Sequence, residues 1–406
     1  MKLHKVIQRF DGERLADIPG AVRREMLNSG LSLPKGERIA VTAGSRGVAN
    51  IAVIIKSVCD TVREMGGEPF VIPAMGSHGG ATAEGQRELI QSYGITEEYV
   101  GAPIYSSMEV VELDSEGLEH RLFMDRYAHE AYGVIAVNRV KVHTDFHGPI
   151  ESGVMKMCVI GLGKHAQALE MHSFGVYGLR DLVAPAARKI FESGKILLGI
   201  GALENGYDET TQVRAALPND IEAMEMEMLD RCRTLMPSLP ANDIDVLIVD
   251  RMGKDINGVG IDTNIIGRMR IRGEAEPEKP RIKMILVDDL TEDTHGNASG
   301  MGLADLITEK LRSKIDFAAT YENMLTSSFI MRGAMPIAVE NAREGLRHAL
   351  RCCGRDGRKV MRIRDTLHIS EIYVSEDMLE DMPDYVEITS QVIEAFDERG
   401  ELSGWV

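Results

Sequence analysis

At 406 residues the chain is longer than one core usually serves, so two domains are expected, and 44% hydrophobic with 27% charged residues excludes a disordered chain. A formal charge of −17 opposes a phosphate backbone, which argues against nucleic acid as a partner while leaving room for a small anion in a local basic pocket. Five cysteines without a Cys-x-x-Cys pair, no apolar stretch of signal-peptide length at the start and no run of membrane-spanning length point to the cytoplasm, with no membrane partner.

In chain order, residues 39–43 read as a buried strand that leads into Gly44-Ser45-Arg46-Gly47. Apolar residues at helical spacing follow from about residue 48 until Gly66-Gly67 stops them. Residues 69–75 are a second strand, ending in the loop Gly76-Ser77-His78-Gly79-Gly80, and Thr82 then opens a helix. A third strand at 132–137 precedes a long loop with His143 and His147, and a fourth at 195–202 follows a helical stretch at 184–193. Two prolines and a serine at 236–241 break the pattern, after which 244–250 and 281–290 read as strands of another α/β segment.

Strand, loop and helix recurring in this way predict an α/β fold of two domains with largely parallel sheets and an active-site cleft between them. The boundary is placed near residue 240, giving domains 1–240 and 241–406, and the last ~30 residues could return to the first domain. Ligands of parallel sheets gather outside the carboxyl ends of the strands, so the glycine-rich loops should share one rim.

Those loops carry the candidate chemistry. Arg46, flanked by small residues, suits a carboxylate or phosphate, although a loop arginine taken alone is more readily a solvated one. His78 among glycines is a candidate general acid or base. Residues 140–172 hold four histidines and three lysines, and Lys156 sits in the apolar run Val154-Met-Lys-Met-Cys-Val-Ile160. Burial disfavours a charged amine, so such a lysine can act as a nucleophile; a lysine reaching out from a helix edge is the plainer alternative. No His-x-x-x-His pair on a predicted helix, no His-Glu-x-x-His, no Gly-x-Gly-x-x-Gly after a strand and no P-loop occurs, which weakens zinc-hydrolase, nicotinamide and nucleoside-triphosphate readings.

With His143 ending Val-Lys-Val-His, Ser152-Gly153 just before Lys156, and His172 sixteen residues beyond it, the chain resembles the lactate racemase superfamily. Gly76-Ser77-His78, Gly44-Ser45-Arg46 and Lys254-Asp255-Ile256-Asn257 match further motifs of that family in the same order, so the resemblance spans most of residues 38–270. It implies a racemase or epimerase of a 2-hydroxy acid, using a nickel-pincer nucleotide bonded covalently to Lys156 with nickel held by His172. It also implies His78 and His143 as the acid/base pair, with His147 as competitor for the second place. Arg46 would clamp the substrate, and Ser45, Gly76 and Ser77 would line the cofactor. Enzymes that assemble the cofactor become partners.

The first loop departs from the family's Asp-x-Thr-Arg-Pro, reading Ala43-Gly-Ser-Arg-Gly. Gly260 and Thr263 stand where lactate racemase has a Gln and a Lys that contact substrate, which implies an acid other than lactate, such as a sugar acid. Lys254 or Arg268 would then supply a replacement charge. A non-catalytic small-anion or nucleotide-binding module on the same scaffold is the reading from a different class, and it would need neither Lys156 nor His172.

Overall fold

The structure is a computed structural model and describes residues 1–44, 47–355 and 357–405. Two compact units divide the chain, one made of residues 11–236 and the other of residues 1–10 with 237–406.

In the unit of residues 11–236, a five-stranded sheet has the spatial order Glu68–Pro73, Arg38–Ala43, Gly133–Arg139, Ile196–Glu204 and Thr210–Ala216. The first four strands are parallel and the last is antiparallel. Successive residues of these strands feed two different cores. Ala40, Phe70, Ile72, Val134 and Ala136 face one, and Ile39, Val41, Val71, Ile135 and Val137 face the other. Burial on both faces is why these strands read as unbroken apolar runs. The helix Ile51–Glu64 covers the second core with Ile51, Ile54, Ile55, Val58 and Val62, the three-and-four spacing of a packed helical face. A separate hairpin, Val110–Leu113 with Leu122–Asp125, lies off the main sheet and was not foreseen.

The other unit is built on an eight-stranded sheet in the order Ile337–Val339, Leu306–Thr308, Arg281–Leu290, Asp243–Met252, Val360–Ile363, Glu371–Val374, Lys2–Gln8 and Val386–Glu394. Its first five strands are parallel and its last three antiparallel. This corrects the division at residue 240 in two respects. Residues 1–10 belong with the C-terminal sequence, because Lys2–Gln8 inserts between Glu371–Val374 and Val386–Glu394. The C-terminal residues stay in that same unit, since the last strand pairs with the first. Leu3 and Val6, both fully buried, hold the N-terminal strand in place.

Both sheets are thus mostly parallel, and the chain is a mixed α/β protein. Among the described residues no helix is long and apolar enough to cross a membrane.

Candidate functional site

Three adjacent parallel strands of the five-stranded sheet end beside one cavity of about 160 Å³. Gly44 follows Arg38–Ala43, Met75, Ser77 and His78 follow Glu68–Pro73, and Asn138 and Arg139 end Gly133–Arg139. This is the carboxyl rim where parallel sheets hold ligands. His143, Asp145, Ser152, Lys156 and His172 complete the polar lining, and Met157, Ile160, Ala168 and Leu179 the apolar lining.

Lys156 reaches the cavity from a helical turn whose start is built around a buried carboxylate. The turn Val154–Lys156 continues into the π-helical turn Met157–Gly161. Its first main-chain N–H groups have no partner within the turn. Glu225, fully buried on the helix Pro218–Leu235, accepts from Met155 N at 2.9 Å and from Val154 N. A Cβ on Gly153 would lie 2.4 Å from the Glu225 carboxyl carbon, so only glycine admits this acid. Burial pushes Glu225 up to about 7, against the pull of those two N–H donors.

His143 is fixed from several sides. Its main-chain N–H donates to Glu151 Oε2 at 2.6 Å, its ring stacks on Phe146 with centroids 4.5 Å apart, and Nδ1 accepts from Asp145 N at 3.1 Å. Its Nε2 contacts Lys156 Nζ. Glu151, itself buried, also accepts from Gly148 N at 3.1 Å and Arg233 Nη2 at 2.9 Å. Burial would raise its carboxyl, yet these donors and His147 together hold it below the ordinary value.

His172 lies in the last turn of the helix Lys164–Ser173. Gln167 pins that helix to the Leu122–Asp125 strand, accepting from Phe123 N at 2.8 Å and donating to Arg121 O at 3.1 Å. Burial, and then the nearby Lys156 charge, lower the His172 imidazole below its usual value, while Asp145 opposes them. His172 is therefore neutral near pH 7, the form that binds a metal. Among the described residues no group of three or more His, Cys, Asp or Glu side chains is arranged to hold a metal ion.

The structure brings Ser77, His78, His143, Lys156 and His172 to one cavity, with Gly76 at φ +59° in the loop that carries the first two. His147 is exposed outside the lining, its Nδ1 3.5 Å from Glu151 Oε2. Ser45 and Arg46 lie outside the described residues. Lys254, Asp255 and Arg268 belong to the other unit and do not line this cavity. There Lys254 Nζ bonds Asn323, Asp255 accepts from Thr291, and Arg268 bonds Asp305 Oδ2 at 2.8 Å together with the carbonyls of Leu303 and Ile282.

Asn138, Arg139, Asp145 and the supporting Glu225 and Glu151 escaped the sequence reading. Arg139 had a detectable signal, standing at the end of a predicted strand. It bonds Glu204 and Gly47 O, and Glu204 in turn accepts from Ala49 N at 2.6 Å, so the pair fixes the described flank of the first loop.

No family model matches the chain, and no curated protein matches it. The solved structure of the lactate racemase apoprotein from Thermoanaerobacterium thermosaccharolyticum is similar to it, with a TM-score of 0.53, 10% sequence identity, and coverage of 90% of this chain and 98% of that one. At that identity the likeness establishes a shared scaffold.

Proposed function

We propose that the chain is an isomerase that racemises or epimerises a 2-hydroxy acid with a nickel-pincer nucleotide tethered to Lys156. The observation that carries this reading is the meeting of Lys156, His172, His78 and His143 around one cavity at the carboxyl rim of the sheet. The residues present fit the group. An amine and a neutral imidazole face the same space, and the described residues offer no cluster of three or more donors for a bare ion, so most donors would come from the organic ligand. When bound, that group would supply a hydride acceptor for the substrate's stereocentre.

Each side chain then has a defined task. Lys156 forms the covalent tether, and His172 gives nickel one imidazole nitrogen. His78 and His143 come from different loops of the rim and exchange the hydroxyl proton of the two enantiomers, one histidine for each orientation. The Asp145 N–H on Nδ1 directs His143 to work through Nε2, its cavity-side nitrogen. Arg139 and Lys156 are the Arg and Lys side chains among the described lining residues, and they favour an anionic substrate in a chain whose mean charge is negative.

Intact mass of protein made together with cofactor-assembling enzymes tests this. The expected result is an added sulfur-rich nucleotide with nickel, absent in Lys156→Ala and retained without turnover in His78→Ala. Protein that stays unmodified under those conditions would support the non-catalytic anion-binding module instead.

A further inference from the structure

Behind the His78 loop, out of contact with solvent, lies a cation in a backbone conformation that disfavours it. Lys164 has φ +55°, in the left-handed region that glycine normally supplies, and its side chain is completely buried. Burial lowers its ammonium, against the attraction of Asp125. A glycine would relieve the backbone and a leucine the burial, so the amine itself must be needed there.

Its three partners account for the need. Lys164 Nζ lies 3.1 Å from Asp125 Oδ2, donates to Gln86 Oε1 at 3.2 Å and donates to Pro73 O, the last residue of the strand leading into the loop. Main-chain carbonyls can only accept, so the Gln86 amide nitrogen must face the loop and its carbonyl must face Lys164. That nitrogen donates to Gly76 O at 2.9 Å and His78 O at 3.2 Å, the two carbonyls that flank Ser77. Gln86 is itself fully buried, so no water can take over either bond without rearrangement. Asp125 is anchored in turn by Ala128 N at 3.0 Å and by its own N–H on Leu162 O at 2.7 Å.

We infer that Gln86, oriented by the buried Lys164–Asp125 pair, is a positioning residue that clamps the Gly76–His78 loop and sets where the His78 imidazole stands over the cavity. The inference rests on the proposed role of His78 for its catalytic consequence, but not for its geometry. Gln86→Glu is the sharpest probe. It keeps the shape and can still pair with Lys164, yet it turns a carboxylate oxygen toward two carbonyls that had received N–H donors. Gln86→Met, equally long and without donors, covers the case in which the glutamate variant does not fold.

The measurement is the side-chain NMR signal of His78 in protein labelled at histidine and free of cofactor, assigned by its loss in His78→Gln. Both variants should move or broaden that signal and shift its titration, while the His120 signal, from a ring elsewhere in the unit, stays in place. A His78 signal and titration coincident with the parent's in a folded variant would overturn the clamp. In matured protein the Lys156 adduct should form at parental yield, with kcat lowered at least tenfold and KM within about twofold. A moved signal with unchanged kcat would leave the clamp standing and sink the role of His78 instead. The two failures are therefore distinguishable.

Discussion

Replacing Gly153 by alanine should strike the lysine turn through a carboxylate that is distant in sequence, on the helix Pro218–Leu235. The added methyl would sit 2.4 Å from Glu225 Cδ and 2.5 Å from Oε1, inside any tolerated contact. Gly153 has φ 177°, an extended conformation open to every residue, so the cost is steric. Glu225 is fully buried and cannot swing into water. It must move off Met155 N and Val154 N, adding the loss of bonds to a charged acceptor, about 1.5–3 kcal/mol, to an overpacking cost of about 1–3 kcal/mol. At pH 8, where Glu225 is ionised, the sum is about 2.5–6 kcal/mol, or a melting temperature lowered on the order of 10 °C for a unit of this size. Urea titration and thermal melts read both quantities. The decisive control is Gly153→Ala combined with Glu225→Ala, because deleting the carboxylate makes room for the methyl. The double variant should be more stable than the sum of the single effects by at least about 1 kcal/mol. Simple additivity, or a single-variant cost below about 0.5 kcal/mol, would refute the packing of the acid against the glycine.

Glu225 also makes stability depend on pH. Its folded value near 7 lies above the ordinary 4.5, so the folded state binds the proton more tightly and the contribution is fully present below pH 4.5. The parent's stability relative to Glu225→Gln should therefore fall as pH rises from about 4.5 to about 7 and level off above that; a difference independent of pH in urea titrations would contradict the burial argument. In matured protein, His143→Ala should lower racemisation by about 10²–10⁴ while His147→Ala changes it by no more than a few-fold. Chiral chromatography of the product decides between them, and the reverse order would move the second acid/base role to the exposed ring. Arg268→Met should cost about 1.5–3 kcal/mol in denaturant melts by breaking the bond to Asp305, with the yield of the Lys156 adduct unchanged. An altered substrate preference in a variant of parental stability would restore Arg268 to a binding role.

The parallel strands were legible because both their faces are buried, which writes them as short continuous apolar runs bounded by glycine loops. Lys2–Gln8 and Val386–Glu394 were not, because each has a mixed burial pattern and a partner at the far end of the chain. Local periodicity cannot report a pairing of that separation, and the assignment of residues 1–10 to the first domain follows from it. In the site, Lys156 and His172 could be singled out because both lie in one short segment of the sequence. Glu225, Gln86 and Lys164 could not. An acid in the helix Pro218–Leu235 reads as solvated charge, and a glutamine reads as helix surface, until the three-dimensional neighbour is known.

Glu225 has a further consequence for what the cavity can recognise. Free N–H groups at a helix start are a ready site for phosphate or carboxylate. At the Lys156 turn those of Val154 and Met155 are already taken by the protein's own carboxylate, so no ligand anion can use them. Main-chain capture at that point is replaced by a buried acid that holds the turn in place. Among the described lining residues, attraction for an anion then falls to side chains, Arg139 from the strand end and Lys156 from the turn itself. On the proposed tether Lys156 would lose its charge, and Arg139, partly neutralised by Glu204, would be the described Arg or Lys left in the lining.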